Sequence, residues 1–203
     1  MTHQALAVRW LDLPRLDQLS DVQLPSQAPL VLGLRLPQNQ QRPQARLAAR
    51  DLLRAALSGY CGLPLDEIEL NEQPGQALHA LAADPIGLSI SHARGACLVG
   101  MIEGAAIGVD LLDLDEVVDG PSAWSRSERE RMARDYFGQP LLATADLAED
   151  FARAWCRFEA GLKCLGLSLT EWNQDLSDRL AGCDIADLEL PAPWIGAVAW
   201  RAR

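Results

Sequence analysis

From Ile86 the hydrophobic period of this chain changes to two, and the strand-like run that begins there sits between two stretches of helical period. Ile86, Leu88 and Ile90 alternate with Gly87, Ser89 and Ser91, the pattern of a half-buried strand. His92-Ala-Arg-Gly95 is expected to turn and Ala96 to Ile102 to return as a second strand. Glu103-Gly104 then turns into a third strand, Ala105 to Asp110. The expectation is an antiparallel meander carrying Ser91, His92 and Asp110 near strand ends. Such a meander needs helices to cover it.

The flanking spacing supplies those helices. Pro43 suits a first helical turn, and Ala49, Leu52, Leu53, Ala56, Leu57 and Tyr60 follow on one face until Gly62 and Pro64. Ile68-Glu-Leu70 reads as a short strand and Asn71 to Gly75 as a turn. Asp113 to Gly120 reads as an acidic loop. Ser125 at the N-cap with Glu128 three residues on is a capping box, opening an arginine-rich helix to Phe137. A longer helix is expected from Asp146 to Leu165. Leu147, Phe151, Ala154, Trp155, Phe158, Leu162 and Leu165 form its buried stripe, and Gly166 its stop. Ile185 to Leu190 and Ile195 to Trp200 give two final strands. Helix followed by strands occurs twice, though no sequence repeat is visible. The expected class is α+β, with two similar halves, 1–104 and 105–203, in one two-lobed unit.

With 49% hydrophobic residues the chain can build a core. No run of about 20 apolar residues is present, so no membrane span is expected. No secretory signal is expected either. Five cysteines without a CxxC pair read as reduced, cytoplasmic thiols. The formal charge of -10 argues against general nucleic-acid binding. An anionic ligand must then be met by local positive clusters, and Arg42/Arg46/Arg50/Arg54 and Arg126/Arg129/Arg131/Arg134 provide them. No GxGxxG, Walker, HExxH or GxSxG motif occurs, which removes support for the Rossmann, nucleotide-hydrolase, zincin and serine-hydrolase classes.

Four polar segments remain. Glu159 and Lys163 are an i,i+4 pair whose plain reading is a surface ion pair worth about 0.3–0.5 kcal/mol. However, Glu159 adjoins the apolar stripe, and a lone lysine among arginines offers a compact point charge for phosphate. Asp110 at a strand end is a turn former or a hard oxygen ligand for Mg²⁺. Ser91 and His92 are structural polar groups or donors to a phosphate. Ser125 and Glu128 are read as structural.

Taken in order, Ser89-Ile-Ser91-His92, Ile107-Gly-Val-Asp110, Trp124-Ser125-x-x-Glu128 and Trp155-x-x-x-Glu159-Ala-x-x-Lys163-x-x-Gly166 resemble the 4′-phosphopantetheinyl transferases. Specifically, they resemble the monomeric, two-lobed, surfactin-synthetase-activating type, over about Arg46 to Trp200. The resemblance implies two α+β halves related by a pseudo-twofold axis, with coenzyme A between them. It implies Mg²⁺ held by Asp110 and Glu159 against the pyrophosphate, and Lys163 on the reacting phosphates. It places Ser91 and His92 on coenzyme A phosphate. A carrier-protein serine attacks the β-phosphate and 3′,5′-ADP leaves, with Glu159 orienting or deprotonating the serine. Catalysis is then mostly alignment and charge neutralisation.

The sequence departs from the family's pattern in four places. Leu112 stands where the family has a second acid, with Asp113 one residue further on. Phe158 stands where it has a lysine. Gly75-Gln-Ala77 replaces a Gly-Lys-Pro turn, and the N-terminal arginine that grips coenzyme A falls near Ala45, beside Arg46. The leading expectation is therefore a monomeric, Mg²⁺-dependent transferase moving phosphopantetheine from coenzyme A to an acyl or peptidyl carrier protein. An impaired relative that only binds coenzyme A or a carrier comes second, and a scaffold protein third. The carrier is expected to dock at Trp124 to Arg134.

Overall fold

The alternating run that starts at Ile86 is shared between two sheets. The computed structural model describes residues 5–12, 19, 21–71, 78–80, 85–120, 123–138 and 147–202. Its first elements are β1 (Leu6–Ala7), β2 (Arg9–Asp12), β3 (Leu30–Arg35) and α1 (Arg42–Cys61). A small hairpin follows, β4 (Leu70–Asn71) and β5 (His79–Ala80), and then β6 (Ile86–Ala93), β7 (Ala96–Glu103) and β8 (Ala105–Asp113). The helices α2 (Leu114–Val118), α3 (Arg126–Phe137), α4 (Leu147–Cys164) and α5 (Gln174–Ala181) lead to β9 (Asp184–Glu189) and β10 (Trp194–Ala202). The class is α+β.

One sheet has the order β2-β3-β7-β6 and the other β1-β9-β10-β8. In both, a strand leads through a helix to two more strands, and the last of the three lies in the middle: β3-β7-β6 and β8-β10-β9. The added edge strand is parallel to its neighbour in each case. Because β1 pairs with β9, the N-terminus closes the second sheet. α1 covers one sheet, burying Leu52, Leu53, Ala56 and Leu57 with Leu32, Leu34 and Leu88. α4 covers the other, burying Ala152, Cys156 and Ala160 with Ala197 and Ala199. The uncovered faces meet each other through Val31, Leu98, Ile107, Val109, Leu111 and Val198.

The edge strands β6 and β8 lie along each other, and glycine makes this possible. A Cβ on Gly87 would stand 2.2 Å from the Ala105 carbonyl oxygen. A Cβ on Gly108 would stand 2.0 Å from the Ala160 carbonyl oxygen, so α4 packs directly on the β8 backbone. Ser89 and Ser91 share the β6 face that looks across this seam. Ser89 Oγ accepts from the Val109 N–H at 3.0 Å, satisfying an edge-strand donor that has no ladder partner there.

Several sequence readings are corrected. The expected meander is broken, because β8 pairs with β10 instead of β7. Alternation fixes which face a residue takes but not which strand lies beside it. His92 is still strand, and the turn is Arg94-Gly95, with Gly95 at φ 76. The acidic stretch after β8 holds the short helix α2, nucleated by Asp113 capping the Asp115 N–H at 2.9 Å. Ile68 lies outside the small strand, which is Leu70–Asn71. The capping box at Ser125 and Glu128 forms, and so does the glycine stop after α4. There Gly166 takes φ 66 and Leu167 N–H reaches the Leu162 carbonyl. The expected turn through Gly75, the Gly75-Gln-Ala77 position and the helix start at Asp146 lie outside the described residues.

Candidate functional site

Asp110 is where the two four-stranded sheets exchange polar groups. It sits on the β8 face that α4 covers, and the residue is buried. Lys163 Nζ donates to Asp110 Oδ1 at 2.7 Å, to the Val109 carbonyl at 3.0 Å and to Ser91 Oγ at 3.3 Å. Ser91 in turn donates to Asp110 Oδ1 at 3.0 Å. Lys163 is the only lysine in the chain. Its ammonium therefore goes to the strand aspartate, not along its own helix to Glu159. The plain surface-pair reading fails, because the pair that forms is side-chain exposed by only 31% and 9%.

Glu159 lies one turn before Lys163 on α4 and makes no hydrogen bond to the described residues. Burial, and then the charge of Asp110, push its carboxyl above the usual glutamate range, and Lys163 opposes them. The cluster thus holds two carboxylates against one ammonium. The buried Cys156 thiol also faces Asp110, and burial and that carboxylate raise its pKa.

Asp113 is occupied differently. β8 stays extended through it, so its side chain takes the opposite face from Asp110. It accepts from Arg94 Nε at 2.9 Å on one oxygen and caps α2 with the other. Its side chain is 1% exposed. Arg94 also stands near Asp115 and Glu116, and its carbonyl accepts from the Trp194 indole N–H at 2.9 Å. Asp113 is thus fully committed and does not stand in for the acid absent at Leu112.

A cleft of about 580 Å³ opens beside the cluster, between the Gln38–Arg42 loop and the Leu111–Val117 segment. His92, Ala45, Arg94, Leu112 and Trp124 also line it. Asp110, Ser91, Glu159 and Lys163 are not on its wall, and His92 and Leu112 connect the two. The His92 imidazole is held below its usual pKa, first by burial and then by the positive charges of Arg42, Arg46 and Lys163. Its Nε2 is buried with no hydrogen-bond partner among the described residues. Arg46 is exposed on α1, close enough to act on His92 electrostatically.

Phe158 is not part of this cluster. It packs with Tyr136 and Phe137 of α3 and with Leu162 and Leu176, on the side of α4 turned from β8. A lysine there would point into that aromatic packing. In the Trp124 to Arg134 segment, Arg126 pairs with Glu130 at 2.9 Å and Arg129 donates to the Trp124 carbonyl, leaving Arg131 and Arg134 exposed. The sequence reading missed Asp113 and Arg94 as a bridge. It also missed the second face of α4, Ala152, Cys156, Ala160 and Cys164, although their spacing of four is visible.

Asp110 and Glu159 offer the hard oxygen donors that Mg²⁺ takes, since it needs only one or two carboxylates beside substrate oxygens and water. Among the described residues no group of three or more His, Cys, Asp or Glu side chains converges as a metal cluster. Among them, too, no helix is long and apolar enough to cross a membrane. No protein-family model matches the chain, and no curated protein shows a significant match to it.

Proposed function

We propose that this chain, as a cytoplasmic monomer, transfers 4′-phosphopantetheine from coenzyme A to a carrier-protein serine with Mg²⁺, releasing 3′,5′-ADP. One observation carries the reading: Asp110, Ser91, Glu159 and the only lysine, Lys163, meet at the seam of two α+β halves, beside a cleft. The shared strand connectivity supports two related halves. Asp110 and Glu159 would hold Mg²⁺, which when bound neutralises charge on the pyrophosphate. Lys163 would give a phosphate oxygen the hydrogen bond it now gives Asp110, worth about 1.5–3 kcal/mol as a charge-assisted contact. Glu159 would orient or deprotonate the attacking serine. Ser91, His92 and Arg46 would anchor the nucleotide end. An acidic carrier would dock along Trp124 to Arg134, where Arg131 and Arg134 face outward.

A second reading has its own support. Lys163 neutralises Asp110, Asp113 is spent on Arg94 and α2, and Leu112 lines the cleft. These features favour an impaired relative that binds coenzyme A or a carrier without transfer. The test is labelled phosphopantetheine transfer to several apo carrier proteins at high Mg²⁺ and coenzyme A. Transfer lost in Glu159→Gln is the expected result, and no transfer to any carrier sinks the enzyme. Calorimetry then decides the remainder, since coenzyme A binding indifferent to Mg²⁺ favours the second reading. Because Lys163 is the sole lysine, its acetylation rate gives a direct readout. Coenzyme A should slow it in either reading, and a scaffold protein would show no protection.

A further inference from the structure

We propose that Cys183 and Cys164 are a modification site for hydroperoxides, Cys183 attacking the peroxide and Cys164 closing a reversible disulfide. The two sulfurs lie 4.0 Å apart. Cys164 is the buried last residue of α4, and Cys183 is half-buried in the turn between α5 and β9. Neither sulfur takes part in the Asp110 cluster, so the site stands whether or not the transferase reading holds.

The surroundings separate the roles. The groups that face Cys183 are the Cys164 thiol, Arg201, Asp184 and Arg179. A Cys164 thiol donating to the Cys183 sulfur lowers the Cys183 pKa to about 7 against the opposing effect of burial, and the two arginines outweigh Asp184, while the Arg179 carbonyl lies 3.8 Å from the sulfur. Cys164 keeps its proton, its thiol facing Cys183 and the Ala106 carbonyl at 3.6 Å. The other three thiols are all pushed up, mainly by burial, with Cys97 reaching about 12. The thiolate is the nucleophile toward peroxide, so reactivity concentrates at Cys183.

The chemistry closes without a further reagent. The Cys183 thiolate attacks a peroxide oxygen and the O–O bond breaks. Cys183 becomes a sulfenic acid, and the leaving oxygen departs as alcohol or water after taking a proton. Cys164 then attacks the Cys183 sulfur, the S–O bond breaks and water leaves with the thiol proton. Two thiols have given two electrons and two protons to one hydroperoxide, and a dithiol reverses the change. The sulfurs must close from 4.0 Å to about 2.05 Å. Gly108 pins α4 to β8, so the Cys183 turn makes that movement. The bond ties β9 to the helix residue that directly follows Lys163.

The test treats the whole protein with hydrogen peroxide near neutral pH, then alkylates, digests and maps it by mass. The expected product is one intramolecular Cys164–Cys183 link with two hydrogens lost, reversed by dithiothreitol. Cys183→Ser should give no link, and Cys164→Ser should leave a sulfenic acid at Cys183 that dimedone traps. In the untreated protein, iodoacetamide should modify Cys183 at least about tenfold faster than Cys61 at pH 7, following thiolate fraction. Five free thiols after peroxide, a link between other cysteines, or Cys61 reacting as fast as Cys183 would each overturn the proposal.

Discussion

The two buried aspartates of β8 share one strand and have opposite surroundings. Asp113 has both oxygens answered, one by Arg94 from the β6–β7 turn and one by the first turn of α2. Asp110 receives Lys163 and Ser91 on a single oxygen, and Glu159 lies beside it without a hydrogen bond from the described residues. The buried Asp113 carboxylate is matched by Arg94, the two further acids near that guanidinium, Asp115 and Glu116, are exposed to solvent, and these contacts hold the turn and helix in place. Around Asp110 one negative charge is left over in a partly buried setting, which costs stability. Arrangement of that kind is how a fold keeps a place for a cation or a proton. The Asp113 side is built as a structural contact, and the Asp110 side carries the surplus buried charge that the proposed function would use.

Lys163→Met tests that assignment with the largest effect. It strands Asp110 in a buried position, and removing one member of such a pair costs about 3 kcal/mol or somewhat more. Urea unfolding should show that loss. Lys163→Met with Asp110→Asn should recover most of it, because the stranded charge has gone. A single variant within about 0.5 kcal/mol of the native protein, the range of an exposed pair, would mean that the lysine contributes no more than a surface contact.

That pairing is only half legible in the sequence. Periodicity and stops gave α1 between Pro43 and Gly62, the alternation of β6, the capping box of α3 and the glycine after α4. It also put Ser91, Asp110, Glu159 and Lys163 forward as polar residues at element ends. It paired Lys163 with Glu159, since spacing within one helix is all a sequence shows. The partner became Asp110 because Gly108 and Ala160 let α4 settle on β8, a contact between residues 52 apart. β8 left the meander for the same reason: neighbours across sheets are long-range choices. Leu30–Arg35 and α5 are too short to give a clear period, although Asn173 caps α5 at Leu176 in the ordinary way.

The Asp113 side should respond more mildly. Asp113→Ala removes the N-cap of α2 and the carboxylate facing Arg94, and the lost cap should cost about 1–2 kcal/mol in urea unfolding. If the comparison holds, this variant keeps the Lys163 acetylation rate of the native protein. A changed rate would show that the two aspartates work as one network.

The smallest effect concerns Glu159, and its sign separates the two sides most clearly. Burial and Asp110 raise the folded-state pKa of this carboxyl above its unfolded value. The folded protein therefore holds the proton more readily than the unfolded chain does, so ionised Glu159 is a cost. That cost is fully present above the raised pKa and fades as pH falls through it toward the ordinary glutamate value. Glu159→Gln should therefore be more stable than the native protein at pH 7, and the gap should narrow on acidification. Asp113→Asn should go the other way and lose stability at pH 7, because its charge is matched by Arg94. Urea midpoints for both variants at pH 7 and near pH 5 measure this. A Glu159→Gln protein less stable than the native one at pH 7 would mean that Glu159 has a partner holding its charge, and the surplus on the Asp110 side would be gone.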